Sequence, residues 1–384
     1  IPLGGETNRV NGTKGVPNVL NLFIDFKLMN KIEEIDQENM IITAQAGTKL
    51  NKIQDLSLKK GLLFPVNIAP SKKCTIGGNI SSNVGGLQTL KYGNIEDNIN
   101  GLEVVMSDGK ILDFQSKLKK DNFGPKLWKI FCGSEGIFGT ITKANLKLVP
   151  KKEFKTTYLL EISNLTKAIQ LLKNFRNRYY DDLISFEIIF PLPSYFLLNN
   201  NFNYHLIIEF NSNYKINYIN KIKKNKIFDE LKVLKIEKNI PKSWIWNKRE
   251  ELVYNQEKLN FKYKFDISLP INNWNIFVKE VKKFTKVNIV YTPYFFGHLG
   301  DGNLHCNFKI DPDTKKNIIL LSKFIYELTI KHKGSIAAEH GLGSSKNELL
   351  IKYKSKNYYE FLKKFKKHMD PNLILGKNKL FKTQ

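Results

Sequence analysis

Residues 75–86 read TIGGNISSNVGG and form one of three glycine clusters in the first 150 residues of this chain. The other two clusters read GGETN at residues 4–8 and GSEGIFG at residues 133–139. Because glycine has no Cβ, the chain can turn with positive φ and bring backbone N–H groups close to an anion. None of the clusters matches the G-x-G-x-x-G of the Rossmann fold or the phosphate loop that ends in Lys-Ser/Thr. Each cluster alone therefore indicates a tight turn, and a binding function depends on all three together.

The sequence around these clusters changes in character near residue 150. Before it, short apolar runs alternate with glycine turns, which predicts short strands and a few helices. One hairpin is predicted at residues 107–110, because Asp-Gly readily adopts positive φ. Between about residues 150 and 290 glycine is absent, and helix-like stretches at 164–179, 214–234 and 271–285 alternate with strands such as 205–210. Since 384 residues also exceed the roughly 150 to 200 of one domain, we predict a second, α+β domain.

The formal net charge of +25 comes almost entirely from lysine. Of the 61 basic residues four are arginines, which leaves 61 minus 4, or 57, lysines, and these are spread along the whole chain. Proteins that recognise base edges favour arginine, whose guanidinium group can donate two hydrogen bonds to one base. Nucleic-acid binding also requires positive charge clustered on one face. We therefore predict a lysine-coated surface without a nucleic-acid partner. No apolar run approaches the roughly 18 residues that span a bilayer, so no membrane span is predicted. The three widely spaced cysteines exclude a disulfide scaffold and a thiolate-ligated cluster.

Histidine is concentrated near the C-terminal end, where four of the six histidines fall between residues 298 and 340. His298 and His305 flank a Gly-Asp-Gly-Asn turn, so a reversing chain could bring both imidazoles together. Glu339 and His340 follow an apolar run and add a carboxylate and a further imidazole. Two histidines and one carboxylate form a three-ligand set with an open position, which is typical of a catalytic divalent metal. The isolated histidines are interpreted as ordinary core or surface residues: His205, His332 and His368.

Taken together and in this order, the glycine clusters resemble the FAD-binding domain of the vanillyl-alcohol-oxidase-like flavoenzymes. The similarity covers essentially all of residues 1–150 and implies that these loops hold FAD. Two departures stand out: Glu6 puts a carboxylate where it would repel a pyrophosphate unless it turns to solvent, and a strand and helix expected before the first loop are missing. The cofactor-binding residues that the resemblance implies are Gly4, Gly5, Thr7, Asn8, Ser71, Ile76, Gly77, Gly78, Asn83, Gly85, Glu135, Gly136, Gly139 and Ile141.

Residues 298–307 and 338–343 narrow the resemblance to the FAD-dependent D-2-hydroxy-acid dehydrogenases, with the members that oxidise D-2-hydroxyglutarate closest. Similarity also runs through residues 246–250, 263–270 and 370–375. The family implies a two-domain α+β flavoprotein. Its parts are an FAD-binding domain at 1–150, a substrate or cap domain at 151–335 with an antiparallel sheet flanked by helices, and a C-terminal segment at 336–384 that packs back near the flavin.

The resemblance also implies a reaction, the oxidation of a D-2-hydroxy acid to the 2-oxo acid with hydride passing to FAD. A divalent ion lowers the pKa of a hydroxyl group, an imidazole can accept the proton, and an arginine can hold a carboxylate with two parallel hydrogen bonds. Matching position by position implies His298, His305 and Glu339 as zinc ligands, His340 as the catalytic base, and Arg249, Lys264 and Asn307 as substrate-binding residues.

Two mismatches leave the substrate open. The hydroxyglutarate enzymes tend to have a threonine four residues beyond the arginine, and this chain has Val253, which would weaken a polar contact by about 1 kcal/mol or more. D-lactate or glycolate is therefore an alternative substrate. In addition, Gly376-Lys377 stands where the family has a closing Asn-Pro element. The lysine that follows this element in the family is present here as Lys379. Together with Glu6 and the missing start, this motivates an alternative of another class, a catalytically idle flavin-binding relic.

The reduced flavin also needs an electron acceptor. The chain shows no nicotinamide fingerprint, haem motif or cluster ligands, so we expect an external acceptor. The family suggests electron-transferring flavoprotein, cytochrome c or a quinone, and a mitochondrial location. A lysine-rich surface would favour encounter with an acidic carrier.

Overall fold

The computed structural model describes residues 1–7, 9–191, 204–223, 231–240 and 243–382, which form two compact units. Unit 1 comprises Ile1–Gln88, Tyr92–Lys151 and Glu339–Gln384, and unit 2 comprises Thr89–Lys91 and Lys152–Ala338. In the described ranges the strands are β1 (Pro2–Leu3), β2 (Ile24–Asp25), β3 (Ile32–Asp36), β4 (Ile41–Gln45), β5 (Leu62–Leu63), β6 (Ile99–Val105), β7 (Ile111–Asp113), β8 (Thr140–Lys147), β9 (Val149–Pro150), β10 (Phe154–Ile162), β11 (Leu183–Ile189), β12 (Tyr204–Ser212), β13 (Lys232–Lys238), β14 (Tyr263–Ser268), β15 (Tyr291–His298) and β16 (Asn303–Ile310). The helices are α1 (Leu50–Lys59), α2 (Ile76–Ser81), α3 (Thr89–Tyr92), α4 (Leu165–Tyr179), α5 (Tyr218–Lys223), α6 (Trp244–Lys258), α7 (Trp274–Val287), α8 (Lys315–Lys331), α9 (Glu348–Tyr353) and α10 (Lys356–Met369).

Unit 1 is built on a five-stranded antiparallel sheet with the order β3-β4-β8-β6-β7. Helix α2 packs on this sheet through Ile76 and Ile80, which lie four residues apart and therefore on one side of the helix. Gly77 lies between them, and a Cβ added there would be 2.7 Å from the Cβ of Ala46. Gly77 is thus needed for close packing of the helix on the sheet, independently of any ligand.

The C-terminal segment belongs to unit 1. Side chains of α9 and α10 pack against its core, and the rings of Phe138 and Phe365 meet edge to face with centroids 5.0 Å apart. The ammonium group of the buried Lys366 forms an ion pair with Asp370 and donates to the carbonyl oxygen of Ile137 at 2.6 Å. Burying a lysine is costly unless it is paired, so these contacts fix α10 to the loop that follows Gly136.

Unit 2 is built on a seven-stranded antiparallel sheet with the order β13-β10-β12-β11-β15-β16-β14. One face of this sheet is apolar and packs on α4, α7 and α8. Because side chains alternate between the two faces along a strand, the residues at the next positions project to the other side. That second face, called the polar face below, carries the charged and histidine side chains and is crossed by α6. The apolar face includes Leu160, Leu206, Ile188, Phe295, Leu304, Cys306 and Ile267, all buried in the main core of unit 2.

Most local predictions are confirmed, and three are wrong in detail. The hairpin at residues 107–110 joins β6 to β7, with Gly109 at φ +86°. The sequence Ser345-Lys346-Asn347-Glu348 fits a capping box and predicts a helix that begins there, but α9 begins at Glu348 without a side-chain cap, and the Ser345 hydroxyl donates to the carbonyl of Val10 at 3.2 Å. The stretch 214–234 contains α5, but its last residues belong to β13, where pairing with β10 overrides helical periodicity. Residues 19–24, VLNLFI, are one of the short apolar runs expected to form strands, but only Ile24 of this run is in a strand.

The predicted fold class is confirmed, with two α+β units and a second, antiparallel sheet flanked by helices. Among the described residues no helix combines the length and apolar character needed to cross a membrane.

Candidate active site

The polar face of unit 2 gathers the histidine motif on adjacent strands. Strands β15 and β16 pair so that Phe296 lies opposite His305 and His298 lies opposite Asn303. The turn between them, Leu299–Gly302, is tight, and Gly302 at φ +86° donates its N–H to the carbonyl of His298 at 3.0 Å. This β15–β16 pair, called the histidine hairpin below, brings the two imidazole centroids to 5.4 Å. The reversal of the chain predicted from the Gly-Asp-Gly-Asn turn is therefore present.

A buried carboxylate that the sequence reasoning missed contacts this hairpin. Glu187 of β11 is 2% exposed and lies directly opposite His298 in the sheet. Its Oε1 atom is hydrogen-bonded to Nδ1 of His298. Burial opposes ionisation, but the neighbouring His298 and Arg249 lower the pKa of Glu187 below its ordinary value. The only signal in the sequence is one charged residue in β11, whose other residues are apolar except for Ser185.

Helix α6 brings Arg249 to the same carboxylate. The guanidinium donates from Nε at 3.2 Å and from Nη2 at 3.0 Å to Oε2 of Glu187, and it lies 5.4 Å from the ring centroid of Phe296. A guanidinium has five N–H donors, so these two bonds leave capacity for another partner. Arg249, predicted to bind a substrate carboxylate, is thus held by Glu187 in this structure.

The other end of α6 lies near the remaining predicted substrate residues. Asn307 of β16 donates from Nδ2 to Oε1 of Gln256, and Lys264 of β14 lies opposite Asn307. Two polar atoms here are buried without a hydrogen-bond partner among the described residues, Nε2 of Gln256 and Oη of Tyr294. Burial raises the pKa of Tyr294, so its hydroxyl remains a donor at neutral pH. Buried polar atoms are nearly always paired, so these two point to a bound ligand or water.

The second histidine of the hairpin also faces a carboxylate. Asp266 of β14 lies opposite His305, with 3.8 Å between Oδ1 and the imidazole Nδ1, and Asn303 donates to Oδ1 at 2.9 Å. The backbone N–H of Ala338 lies 3.3 Å from the carbonyl oxygen of Asp266. Residues 339 and 340, the predicted metal-binding glutamate and catalytic histidine, follow Ala338 directly in the chain and are half-buried.

The predicted cofactor loops of unit 1 converge around α2. A Cβ on Gly5 would lie 2.1 Å from the carbonyl oxygen of Lys73, and a Cβ on Gly4 would lie 2.4 Å from the hydroxyl oxygen of Thr75, so the first glycine cluster packs against the start of the second. The third cluster is joined to α2 by the N–H of Gly133, which donates to Ile80 at 3.0 Å, and by the N–H of Glu135, which donates to Ser81 at 2.8 Å. The three glycine clusters, which are predicted to bind one ligand together, are therefore neighbours in the fold.

Individual cofactor residues occupy different environments in unit 1. Ile76 and Ile141 have buried side chains in the core, so only their backbone atoms could serve a ligand. Glu6, whose carboxylate would repel a pyrophosphate unless it turned to solvent, has φ +52° and an exposed side chain. Asn8 lies outside the described residues. The other predicted cofactor residues lie in loops or in α2, and they are Gly4, Thr7, Ser71, Gly77, Gly78, Asn83, Gly85, Gly136 and Gly139.

Glu135 has a structural role in unit 1 in addition to its predicted one. Its carboxylate accepts hydrogen bonds from the backbone N–H groups of Leu342 at 2.9 Å and Gly343 at 2.9 Å. Burial raises the pKa of this carboxyl group, while the two N–H groups act in the opposite direction. Glu135 thus connects the third glycine cluster to the segment that returns from Glu339.

Comparisons with known proteins agree with this architecture. Residues 1–115 match the family described as FAD binding domain, and residues 153–380 match FAD linked oxidases, C-terminal domain. An Oryza sativa subsp. japonica protein named "Probable D-2-hydroxyglutarate dehydrogenase, mitochondrial" is 31% identical over 99% of this chain and 70% of its own length. A Schizosaccharomyces pombe protein designated a mitochondrial D-lactate dehydrogenase is 30% identical over 98% of this chain and 76% of its own length.

Among solved structures, an alkyldihydroxyacetonephosphate synthase superposes with a TM-score of 0.69 over 98% of this chain and 71% of its own, at 20% identity. At that identity the likeness concerns the fold alone. The resemblance predicted from the glycine and histidine motifs is confirmed, and the chain belongs to the family of FAD-linked oxidases, with an FAD-binding domain followed by an oxidase C-terminal domain.

Proposed function

We propose that this chain oxidises a D-2-hydroxy acid, with D-2-hydroxyglutarate favoured, to the 2-oxo acid and passes the hydride to FAD. The observation that carries the proposal is the polar face, where two imidazoles, an arginine, a lysine and an asparagine project from adjacent elements of unit 2. The curated relatives named above act on D-2-hydroxyglutarate and D-lactate according to their names. The polar face therefore has basic side chains that can bind a carboxylate and imidazoles that can act on a hydroxyl group.

The metal ligands in this proposal are His298, His305 and Glu339. The donor set fits a divalent metal, because two imidazole nitrogens and one carboxylate oxygen are the ligands of open catalytic zinc sites. The two imidazoles are neighbours on the histidine hairpin, and Glu339 follows the residue whose N–H approaches the carbonyl of Asp266. A divalent ion supplies Lewis acidity that eases deprotonation of the substrate 2-hydroxyl, and FAD supplies the hydride acceptor.

The protein groups act on the substrate as follows. Arg249 and Lys264 bind carboxylate oxygens, and the amide of Asn307 donates a further hydrogen bond. His340 accepts the proton of the 2-hydroxyl, because a neutral imidazole has one ring nitrogen that is an acceptor. Binding at one end and proton removal at the other orient the C–H bond of the carbinol carbon for hydride loss.

The unpartnered donors near Asn307 support a carboxylate-bearing substrate. Gln256 and Tyr294 each present a buried polar atom without a partner among the described residues, and an anionic oxygen would satisfy either. Val253, one helical turn beyond Arg249 on α6, has no hydroxyl, which motivates the alternative that D-lactate or glycolate is preferred. The exposed side chain of Glu6 removes one argument for an idle relic, because a solvated carboxylate repels an anion weakly.

The test is the visible spectrum of the purified protein with FAD, recorded without oxygen before and after addition of each acid. We expect a bound flavin whose absorbance bleaches with D-2-hydroxyglutarate more readily than with D-lactate or glycolate. Faster bleaching with the monocarboxylates would establish the alternative substrate. A protein that binds no flavin, or whose flavin is bleached by none of these acids, would falsify the proposal.

We further propose that the electrons leave to an external acceptor, electron-transferring flavoprotein, cytochrome c or a quinone, in the mitochondrion. The relatives named above carry mitochondrial designations, and the lysine-rich surface would favour an acidic carrier at low ionic strength. Reoxidation of the substrate-reduced flavin by each acceptor, at two salt concentrations, tests this. A rate with every acceptor that does not exceed spontaneous reoxidation by oxygen would contradict it.

A further inference from the structure

The buried carboxylate of Glu187 connects two groups to which the proposed function assigns different roles. β11 pairs with β15 so that Glu187, Ile188 and Ile189 lie opposite His298, Gly297 and Phe296. One carboxylate oxygen is bonded to the imidazole of His298 and the other to the guanidinium of Arg249. Glu187, His298 and Arg249 therefore form one continuous chain of hydrogen bonds across β15, β11 and α6.

The bond to Nδ1 determines which ring nitrogen of His298 can bind a metal. An ionised carboxylate is an acceptor only, so the hydrogen of a neutral imidazole lies on Nδ1 and the lone pair lies on Nε2. Because His298 is 6% exposed, the ring has little freedom to turn. A carboxylate that holds the far nitrogen of a metal-binding histidine fixes both its tautomer and its orientation.

The second oxygen restricts the guanidinium of Arg249. Both Nε and Nη2 donate to Oε2 of Glu187, so one edge of the planar group is occupied and the opposite edge is left for a ligand. The turn of the histidine hairpin is held as well, because the N–H of Gly300 donates to the carbonyl of Phe186 at 3.0 Å, next to Glu187. Strand β11 thus supports His298 through both its side chain and its backbone.

We propose that Glu187 is a positioning residue that presents Nε2 of His298 to the metal and the free edge of Arg249 to the substrate carboxylate. This inference rests on the proposed function, whose metal and substrate roles it deepens. Glu187 touches neither metal nor substrate, and it acts through His298 and Arg249. Removal of its charge should therefore weaken metal binding and substrate binding together, while FAD binding in unit 1 stays unchanged.

The same sheet offers a matched control in Glu161. Glu161 of β10 lies opposite His205 of β12, and both side chains are buried, at 7% and 8% exposure. This pair also places a carboxylate beside a histidine on the polar face, but neither residue belongs to the histidine hairpin. The variant Glu161→Gln therefore measures the cost of neutralising a buried glutamate in this sheet, separately from any role at the metal site.

The experiment measures the zinc affinity of the wild type, Glu187→Gln and Glu161→Gln by competition with a chromogenic chelator, and the absorption spectrum of each protein with Co²⁺ in place of zinc. Flavin content and thermal unfolding are recorded in parallel. We expect Glu187→Gln to bind zinc about 10- to 100-fold more weakly, which is the usual cost of losing such a carboxylate, and to show altered Co²⁺ bands. Glu161→Gln should change zinc affinity by less than about 2-fold.

The substrate arm uses steady-state kinetics with the same proteins at saturating zinc. We expect Glu187→Gln to raise the KM for the hydroxy acid by about 10-fold, since a misoriented bidentate arginine loses roughly 1.4 kcal/mol. Should Glu187→Gln fail to fold, Glu187→Asp replaces it. Its shorter side chain keeps the charge but cannot reach both partners, so a smaller loss of zinc affinity is expected.

The inference is overturned if Glu187→Gln binds zinc as tightly as the wild type, or if Glu161→Gln loses as much affinity. A wild type that binds flavin but no divalent metal would overturn the metal site of the proposed function itself, and the inference with it. These results are distinguishable, because the second appears in the wild type before any variant is compared.

Discussion

The polar face of unit 2 and the glycine clusters of unit 1 provide binding groups in two different ways. On the polar face the groups are side chains that project from regular strands, and the backbone of those strands is already paired within the sheet. In the glycine clusters the useful groups are backbone atoms of loops, and the absence of a side chain is what allows the loops to meet. The two regions should therefore respond differently to substitution. We expect the half-buried side chains of the polar face to be removable with the fold intact, whereas added atoms at the tightest glycine contacts should disturb both the fold and cofactor binding.

The largest effect is expected for His305→Ala on the polar face. Loss of one of the three proposed metal ligands should reduce kcat by about 100-fold or more, because the substrate hydroxyl would no longer be activated. The half-buried imidazole leaves little cavity, so the midpoint of thermal unfolding should move by only a few degrees, and flavin content should be retained. Zinc analysis and dye-reduction kinetics check the result. Equal zinc content and kcat in variant and wild type would remove His305 from the site.

Gly5→Ala tests the other region and should have the next largest effect. Its Cβ would lie 2.1 Å from the carbonyl oxygen of Lys73 and 2.7 Å from the Cα of Cys74, both backbone atoms. Separating the loops should cost about 1–3 kcal/mol of unfolding free energy and lower the flavin content. Gly78→Ala is the matched control for the unfolding free energy alone, because its nearest contact is the Thr75 hydroxyl at 3.2 Å. Normal flavin content and stability in Gly5→Ala would show that side-chain volume is tolerated there.

Tyr294→Phe tests whether a hydroxyl group on the polar face binds the substrate or stabilises the fold. The hydroxyl of Tyr294 has no hydrogen-bond partner among the described residues, so its removal should not destabilise the protein. If it donates to the substrate, the KM for D-2-hydroxyglutarate should rise by about 5- to 10-fold, in line with the loss of one hydrogen bond. A KM at the wild-type value, or a loss of stability, would mean that the hydroxyl serves the fold and not the substrate.

Val253→Thr addresses selectivity at the same site. A hydroxyl one turn beyond Arg249 should raise the ratio of kcat/KM for D-2-hydroxyglutarate to that for D-lactate by about 5-fold, equivalent to roughly 1 kcal/mol. Val253→Ile keeps a β-branched side chain without the hydroxyl and should leave the ratio unchanged. The prediction is wrong if both variants shift the ratio equally.

The smallest effect concerns Glu135 and pH. Because burial raises the pKa of Glu135 above its ordinary value of 4.5 in the folded state, that state binds the proton more tightly than the unfolded chain does. The stabilisation that protonated Glu135 contributes is fully present below the pKa that Glu135 has in the unfolded chain. It is lost as pH rises through the higher pKa that Glu135 has in the folded protein. The stability of the wild type relative to Glu135→Gln should therefore decrease as pH rises from 4.5 toward neutrality. Urea unfolding of both proteins across this range, with FAD present, measures it, and a difference that grows with pH would contradict the sign.

The sequence was most informative where the structural requirement is local. The turn at Gly109, the helix α4 with its cap at Asn164, and the reversal between His298 and His305 each depend on residues a few positions apart. Steric preference and hydrophobic period determine such features. The capping box at Ser345 is the opposite case: α9 begins later, at Glu348, and the Ser345 hydroxyl contacts the carbonyl of Val10, a partner so distant in the sequence that no local pattern predicts it.

The candidate site shows the same division. The sequence alone determines the residue types: glycine clusters that allow close backbone approach, two histidines that flank one tight turn, and one of only four arginines in a chain whose other basic residues are lysines. Only the tertiary structure decides that Glu187 lies opposite His298, 111 residues away, and that Arg249 reaches the same carboxylate from α6. Periodicity specifies which side of a strand a residue occupies, but the order of strands in a sheet depends on packing of the whole unit. A buried charge and its partners can therefore be recognised only when the sheet is assembled.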